Sequence, residues 1–157
     1  MLERCYAKNA HIKYPSYKGC SVCEDWLYLS RFKEWYESNY IEGYDIDKDL
    51  IVKGYKIYSP DTCCFIPHDI NTIIAISRER KHNLPIGVVK CKGGYQARMG
   101  KDRQIIGFYK TPEAAFLAYK KAKEQYIKVL AEKYYKEGKI TERVYRALLA
   151  YEVEITD

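Results

Sequence analysis

The sequence predicts an α+β fold: a ββα finger, then a three-stranded antiparallel sheet packed on a long helix, then a short C-terminal helix. Three observations carry this. Residues 86–92, 95–99 and 104–109 are β-prone runs separated by Gly93-Gly94 and by Gly100-Lys101-Asp102-Arg103. Thr111-Pro112-Glu113 has the chemistry of a helix start, with an oxygen for exposed amides, a ring preset to helical φ and a carboxylate at the positive end. Upstream, residues 44–49, a Lys53-Gly54 turn, residues 55–58 and residues 63–66 precede a helix-forming run from Pro67.

In chain order, residues 1–6 read as the last turns of a helix, residues 7–18 as loop and Cys20-Ser21-Val22-Cys23 as a short β-prone piece. Asp25 is placed to cap a helix whose Trp26, Leu29, Phe32, Trp35 and Tyr36 form an apolar stripe, with Gly43 beyond its end. After the finger, residues 77–84 are a polar linker carrying Arg78, Arg80, Lys81 and His82, and Pro85 forbids a helix through it. A domain of residues 1–82, aromatic helix plus finger, is therefore expected before one of residues 83–157.

In the second domain, alternation sets Tyr95, Ala97 and Met99 on one sheet face and Gln96 and Arg98 on the other. Polarity assigns Val89 and Cys91 to the covered face and Lys90 and Lys92 to the open one, with Lys101 and Arg103 at the next turn. Gly107 marks a bulge or a close backbone approach. The helix after Thr111 recurs at Ala115, Ala118, Tyr119, Ala122, Tyr126, Val129 and Leu130, and its alanines allow close approach to the sheet. Gly138 ends it, Thr141 caps a last helix with Val144, Leu148 and Tyr151 inward, and residues 153–155 form an edge strand.

The chain has 157 residues, enough for one good core or two small ones, and its 15% aromatic content, including 17 tyrosines, argues against disorder despite 31% charge. Net charge is +6, and it is unevenly placed: residues 1–83 hold 12 basic and 12 acidic side chains, residues 84–157 hold 15 and 9. Solvated helix lysines explain part of the excess. Those on the sheet suit phosphate neutralisation. No apolar run approaches the roughly 20 residues of a membrane span, and no secretory leader or membrane partner is expected. Six cysteines read as free thiols, or as a structural zinc site at Cys20 and Cys23 with Cys63 or Cys64 and Cys5.

Gly87-Val88, Tyr95-Gln96-Ala97-Arg98, Ile106-Gly107-Phe108-Tyr109 and Thr111-Pro112-Glu113-Ala114-Ala115 through Ala118-Tyr119 resemble the ethylene-response-factor (APETALA-type) DNA-binding domain. The resemblance implies a sheet seated in the major groove of double-stranded DNA, with contacts from Lys90, Lys92, Tyr95, Gln96, Arg98 and Ile105. Ile105 stands where a tryptophan is common, and the first strand is poorer in arginine, so the plant sequence preference is not implied.

Asp47-Lys48, the Tyr58-Ser59-Pro60-Asp61-Thr62-Cys63 segment and the helix bearing His68 and Asn71 are similar to the HNH-like module of phage homing endonucleases. This resemblance implies a phage or prophage protein acting in the cytoplasm of a bacterial host. An HNH site needs a histidine base and a divalent metal at the scissile phosphate. Lys48 occupies the base position, and a lysine is protonated at neutral pH. Asp47, His68 and Asn71 are the catalytic candidates if the module cleaves, with Asp47, Asp49 and His68 around magnesium. Alternatively the acids cap turns and pair with Lys48 and Lys56, His68-Asp69 caps the first helical turn, and the degenerate finger only grips DNA.

The function expected is sequence-preferring binding of double-stranded DNA without a cofactor. Gln96 and Arg98 read bases, and Lys90, Lys92, Lys101 and Arg103 meet phosphates. Two alternatives stand beside it: an active metal-dependent endonuclease, and an interaction protein that blocks a host defence protein through tyrosines such as Tyr134 and Tyr135. No oligomeric state is read from the sequence.

Overall fold

A computed structural model describes residues 1–75, 84–100 and 102–155. The chain divides into two units, Met1–Asn71 and Thr72–Asp157. The expected boundary at 82/83, the linker cations Arg78, Arg80, Lys81 and His82, and Lys101 lie outside the described residues.

In the first unit, α1 (Leu2–Tyr6) agrees with the helical turns expected at residues 1–6, whereas the segment expected to be loop contains α2 (Ala10–Lys13) and a 3-10 turn at Pro15–Tyr17. Strand β1 (Ser21–Val22) leads into a second 3-10 turn, Glu24–Leu27, and helix α3 (Leu29–Asn39) follows. Asp25 therefore does not cap the helix; it lies in the turn and pairs with Arg31, and Tyr28 holds the cap position. The tighter turn takes Trp26 out of helical phase. Trp26 is buried while Leu29 is exposed, and Phe32, Trp35 and Tyr36 carry the stripe onward. Trp26 meets Phe32 edge-on at 5.2 Å and Trp35 at 4.6 Å, and Trp35 stacks on Phe65 at 5.6 Å.

Strands β2 (Tyr44–Asp47), β3 (Ile57–Tyr58) and β4 (Cys64–Pro67) do not form the hairpin expected across Gly54. Instead β2 pairs antiparallel with β4, from Tyr44↔Pro67 to Asp47↔Cys64, and β3 pairs parallel with β1. Two side chains hold the intervening loop and take up main-chain groups that a hairpin ladder would have used. Lys48, buried, donates to the Tyr55 carbonyl at 3.2 Å and pairs with Asp49. Thr62 Oγ1 donates to the Ile57 carbonyl at 2.7 Å and accepts from the Ser59 amide at 3.1 Å. Strand β4 runs directly into α4 (His68–Ile74).

The second unit is α+β as expected. Strands β5 (Val88–Cys91), β6 (Gly94–Met99) and β7 (Gln104–Tyr109) form an antiparallel sheet in sequence order, packed on the long helix α5 (Pro112–Lys136). Thr111 caps α5 by accepting from the Ala114 amide at 3.2 Å. A bulge at Ala97/Arg98 shifts the register, so Ala97 faces Gly107 while Arg98 faces Ile105 and Ile106 is the extra residue. The core comprises Val88, Ala97, Ala115, Phe116, Tyr119 and Val153.

The buried stripe of α5 is Ala115, Phe116, Tyr119, Lys123, Ile127 and Ala131, whereas Tyr126 and Val129 are exposed. Lys123 conceals the true phase. Its stem is buried and its ammonium lies 5.8 Å from the Tyr119 ring centroid, so a charged residue continues an apolar face. Helix α6 (Glu142–Leu149), capped by Thr141, buries Val144 and Leu148. The expected edge strand at 153–155 is absent; Val153 is held by side chains, its amide donating to Glu124 at 2.9 Å and its carbonyl accepting from Lys120 at 2.8 Å.

Candidate functional site

Opposite residues on paired strands share a face, and this rule decides which side chains the open side of the sheet presents. Val88 pairs with Ala97 and Lys90 with Tyr95, whereas Val89 pairs with Gln96 and Gln96 with Phe108. Ala97 and Tyr95 belong to the helix-side core, so Lys90 is on the covered face at the strand's solvent-reaching end, and Val89 is on the open one. Pairing overrides the polarity of single side chains, which had suggested the reverse. Tyr95 likewise packs on the core.

The open face consists of two rungs: Val89, Gln96 and Phe108, then Arg98 and Ile105. Phe108 is 68% exposed and Ile105 48%, both apolar groups on the edge strand β7. Between them Arg98 Nε donates to Gln96 Oε1 at 2.8 Å, and Arg98 Nη2 donates to the same oxygen. The guanidinium is thereby oriented by a side chain already nearly buried. Lys92 is exposed at the first turn, and Arg103 is exposed at the second with φ of 50°. Sequence reasoning missed Val89 and Phe108; following the pairing outward from Gln96 would have found both.

In the first unit, Asp45 Oδ2 accepts from His68 Nδ1 at 2.7 Å and from Asn71 Nδ2 at 2.9 Å. The hydrogen bond from Asn71 holds the Asp45 carboxyl below the usual range, with a smaller contribution from His68. Asp45, not Asp47, is thus the acid beside the α4 residues. It was missed because the expected hairpin hid the β2–β4 pairing that sets Asp45 opposite Ile66, two residues before His68. Asp47 Oδ1 accepts from the Asp49 and Leu50 amides at 2.9 and 2.6 Å, and burial pushes its carboxyl up. Asp49 pairs with Lys48. Among the described residues no three His, Cys, Asp or Glu side chains converge to hold a metal ion, so Asp47, Asp49 and His68 are not brought together as a magnesium set.

Cys20 and Cys23 are free thiols in the apolar cluster around Trp26, with Cys5 and Cys63. Burial raises the Cys5 thiol and pushes that of Cys63 up to about 11. Among the described residues no helix is long and apolar enough to cross a membrane. Comparison with protein-family models, curated proteins and solved structures found no match.

Proposed function

We propose that this chain binds double-stranded DNA with a sequence preference, as a phage-derived, degenerate relative of HNH homing endonucleases acting in a bacterial cytoplasm. The observation that carries the reading is the open sheet face, where Arg98 is oriented by Gln96 and flanked by exposed Ile105 and Phe108. B-DNA's major groove admits strands. Arginine matches the acceptor pair of guanine, glutamine matches adenine, and apolar groups meet the thymine methyl. Among the described residues Lys92 and Arg103, at the two turns of the sheet, form no ion pair, which leaves their charge for phosphates, whereas Lys90 lies on the helix-side face. The ββα order of β2, β4 and α4 supports the homing-enzyme kinship.

Selection of preferred duplexes followed by gel-shift titration tests the reading. Arg98→Ala is expected to lose about 1–3 kcal/mol on the preferred duplex and to relax discrimination, while Lys92→Ala weakens all duplexes alike. Unchanged affinity of Arg98→Ala for every duplex would remove the sheet as the reading surface.

The Asp45–His68 pair favours a second reading, a DNA endonuclease, because a carboxylate that orients an imidazole is the usual support of a general base. Supercoiled plasmid incubated with the protein and Mg²⁺ or Mn²⁺ is the discriminating assay. Nicking by the wild type that Asp45→Ala abolishes supports the enzyme, and intact plasmid under conditions where the protein binds DNA eliminates it.

A further inference from the structure

We infer that the first unit carries a second contact for duplex DNA, a phosphate-binding surface formed by Arg4 and Lys13 on the Tyr14–Tyr17 ring pair, with Lys18 and Lys56 at the end of the same segment. It rests on the DNA-binding reading above and adds a site to it.

The balanced charge of residues 1–83 conceals a strong segregation. Residues 1–23 hold four basic side chains and one acidic, whereas residues 24–49 hold three and eight. Helices α1 and α2 and the following 3-10 turn then concentrate the basic part. The Arg4 guanidinium lies 5.3 Å from the Tyr17 ring centroid and 5.9 Å from that of Tyr14, and Arg4 Nη1 donates to the Tyr17 hydroxyl at 2.8 Å. Lys13 Nζ lies 5.2 Å from the Tyr14 centroid, and the two rings meet edge-to-face at 6.2 Å. Lys56 Nζ donates to the Lys18 carbonyl at 2.9 Å, bringing a cation from the loop before β3 to the end of the same segment.

All four cations are exposed, and among the described residues none pairs with a carboxylate. Like charges held together repel one another unless an anion intervenes. Rings orient Arg4 and Lys13 and a main-chain oxygen orients Lys56 without neutralising them, which suits a ligand of repeated negative charge. A phosphate backbone is such a ligand, and a guanidinium and ammonium groups are its usual partners.

The test is a salt titration of the full chain on a short random-sequence duplex, comparing the wild type with Lys13→Gln/Lys18→Gln. Neither lysine side chain holds the fold together, and circular dichroism verifies that the variant is folded. The slope of log affinity against log salt is expected to shrink by about 2, roughly 0.9 for each lost phosphate contact. Lys33→Gln, on α3 and paired with Glu37, is the control and should leave the slope unchanged. An unaltered slope in the folded double variant overturns the inference. Arg98→Ala run in parallel separates the two surfaces. If it alters sequence preference while the double variant changes nothing, only the second contact falls. If the double variant flattens the slope while Arg98→Ala binds every duplex like the wild type, the sheet reading falls and this surface stands. Failure of the wild type to bind any duplex overturns both.

Discussion

Asp45 and Asp47 lie two residues apart on one short strand, yet their surroundings drive their acidities in opposite directions. Asp45 is stabilised as a carboxylate by the Asn71 and His68 donors, so its contribution to stability is present above the ordinary aspartate value of about 4. That contribution is lost as pH falls through the lowered native value. Asp47 is penalised as a carboxylate by burial. Its cost is absent below about pH 4 and complete above its raised native value. Denaturation midpoints are therefore expected to separate the two. Asp45→Asn should lose about 1 kcal/mol near pH 7, a small figure because His68 is largely exposed, and the loss should narrow toward pH 3. Asp47→Asn keeps an oxygen for the Asp49 and Leu50 amides and should be neutral or stabilising near pH 7, with no gain near pH 3. Equal effects of both substitutions at both pH values would contradict the geometry.

At the scale of elements, the sheet and α5 are fitted together at Gly87. Its φ is +74°, and a Cβ there would stand 2.2 Å from Cδ2 of Tyr119, while its carbonyl accepts from the Arg98 amide at 2.7 Å. Gly87→Ala combines a left-handed backbone cost with overpacking against a buried ring, and a loss of about 2–4 kcal/mol is expected by chemical denaturation. Because the Arg98 amide would shift with it, DNA affinity should fall in the same variant. The glycine and tyrosine were both visible in the sequence. That they touch was not, since it depends on where α5 lies across β5.

For the whole molecule, charge placement predicts the salt dependence of binding. The four cations Lys92, Arg98, Lys101 and Arg103 correspond to a slope of about −4, and adding the four of the Arg4 surface steepens it to about −7. Fluorescence anisotropy on a labelled duplex across a range of salt measures this directly. A slope near −4 confines the grip to the sheet, and one near zero removes electrostatic binding altogether.

Local chemistry alone determined the β runs, the turns at Gly93 and Gly100, the caps at Thr111 and Thr141 and the long helix between them, because each is set by residues within a few positions of one another. The same locality made Gln96 and Arg98 legible as neighbours on an open face. Tertiary structure decided everything that depends on which strand finds which partner. It paired β2 with β4 and so chose Asp45 over Asp47, turned Val89 rather than Lys90 to the open face, and placed Phe108 beside Gln96. It also buried Lys48 and Lys123, whose stems find apolar cover and whose charges find a ring or a main-chain oxygen. Polarity along a sequence records the average preference of a side chain for water. Pairing and packing act on the whole surface at once, and in this chain they override single-residue polarity at Val89, Lys90, Lys48 and Lys123.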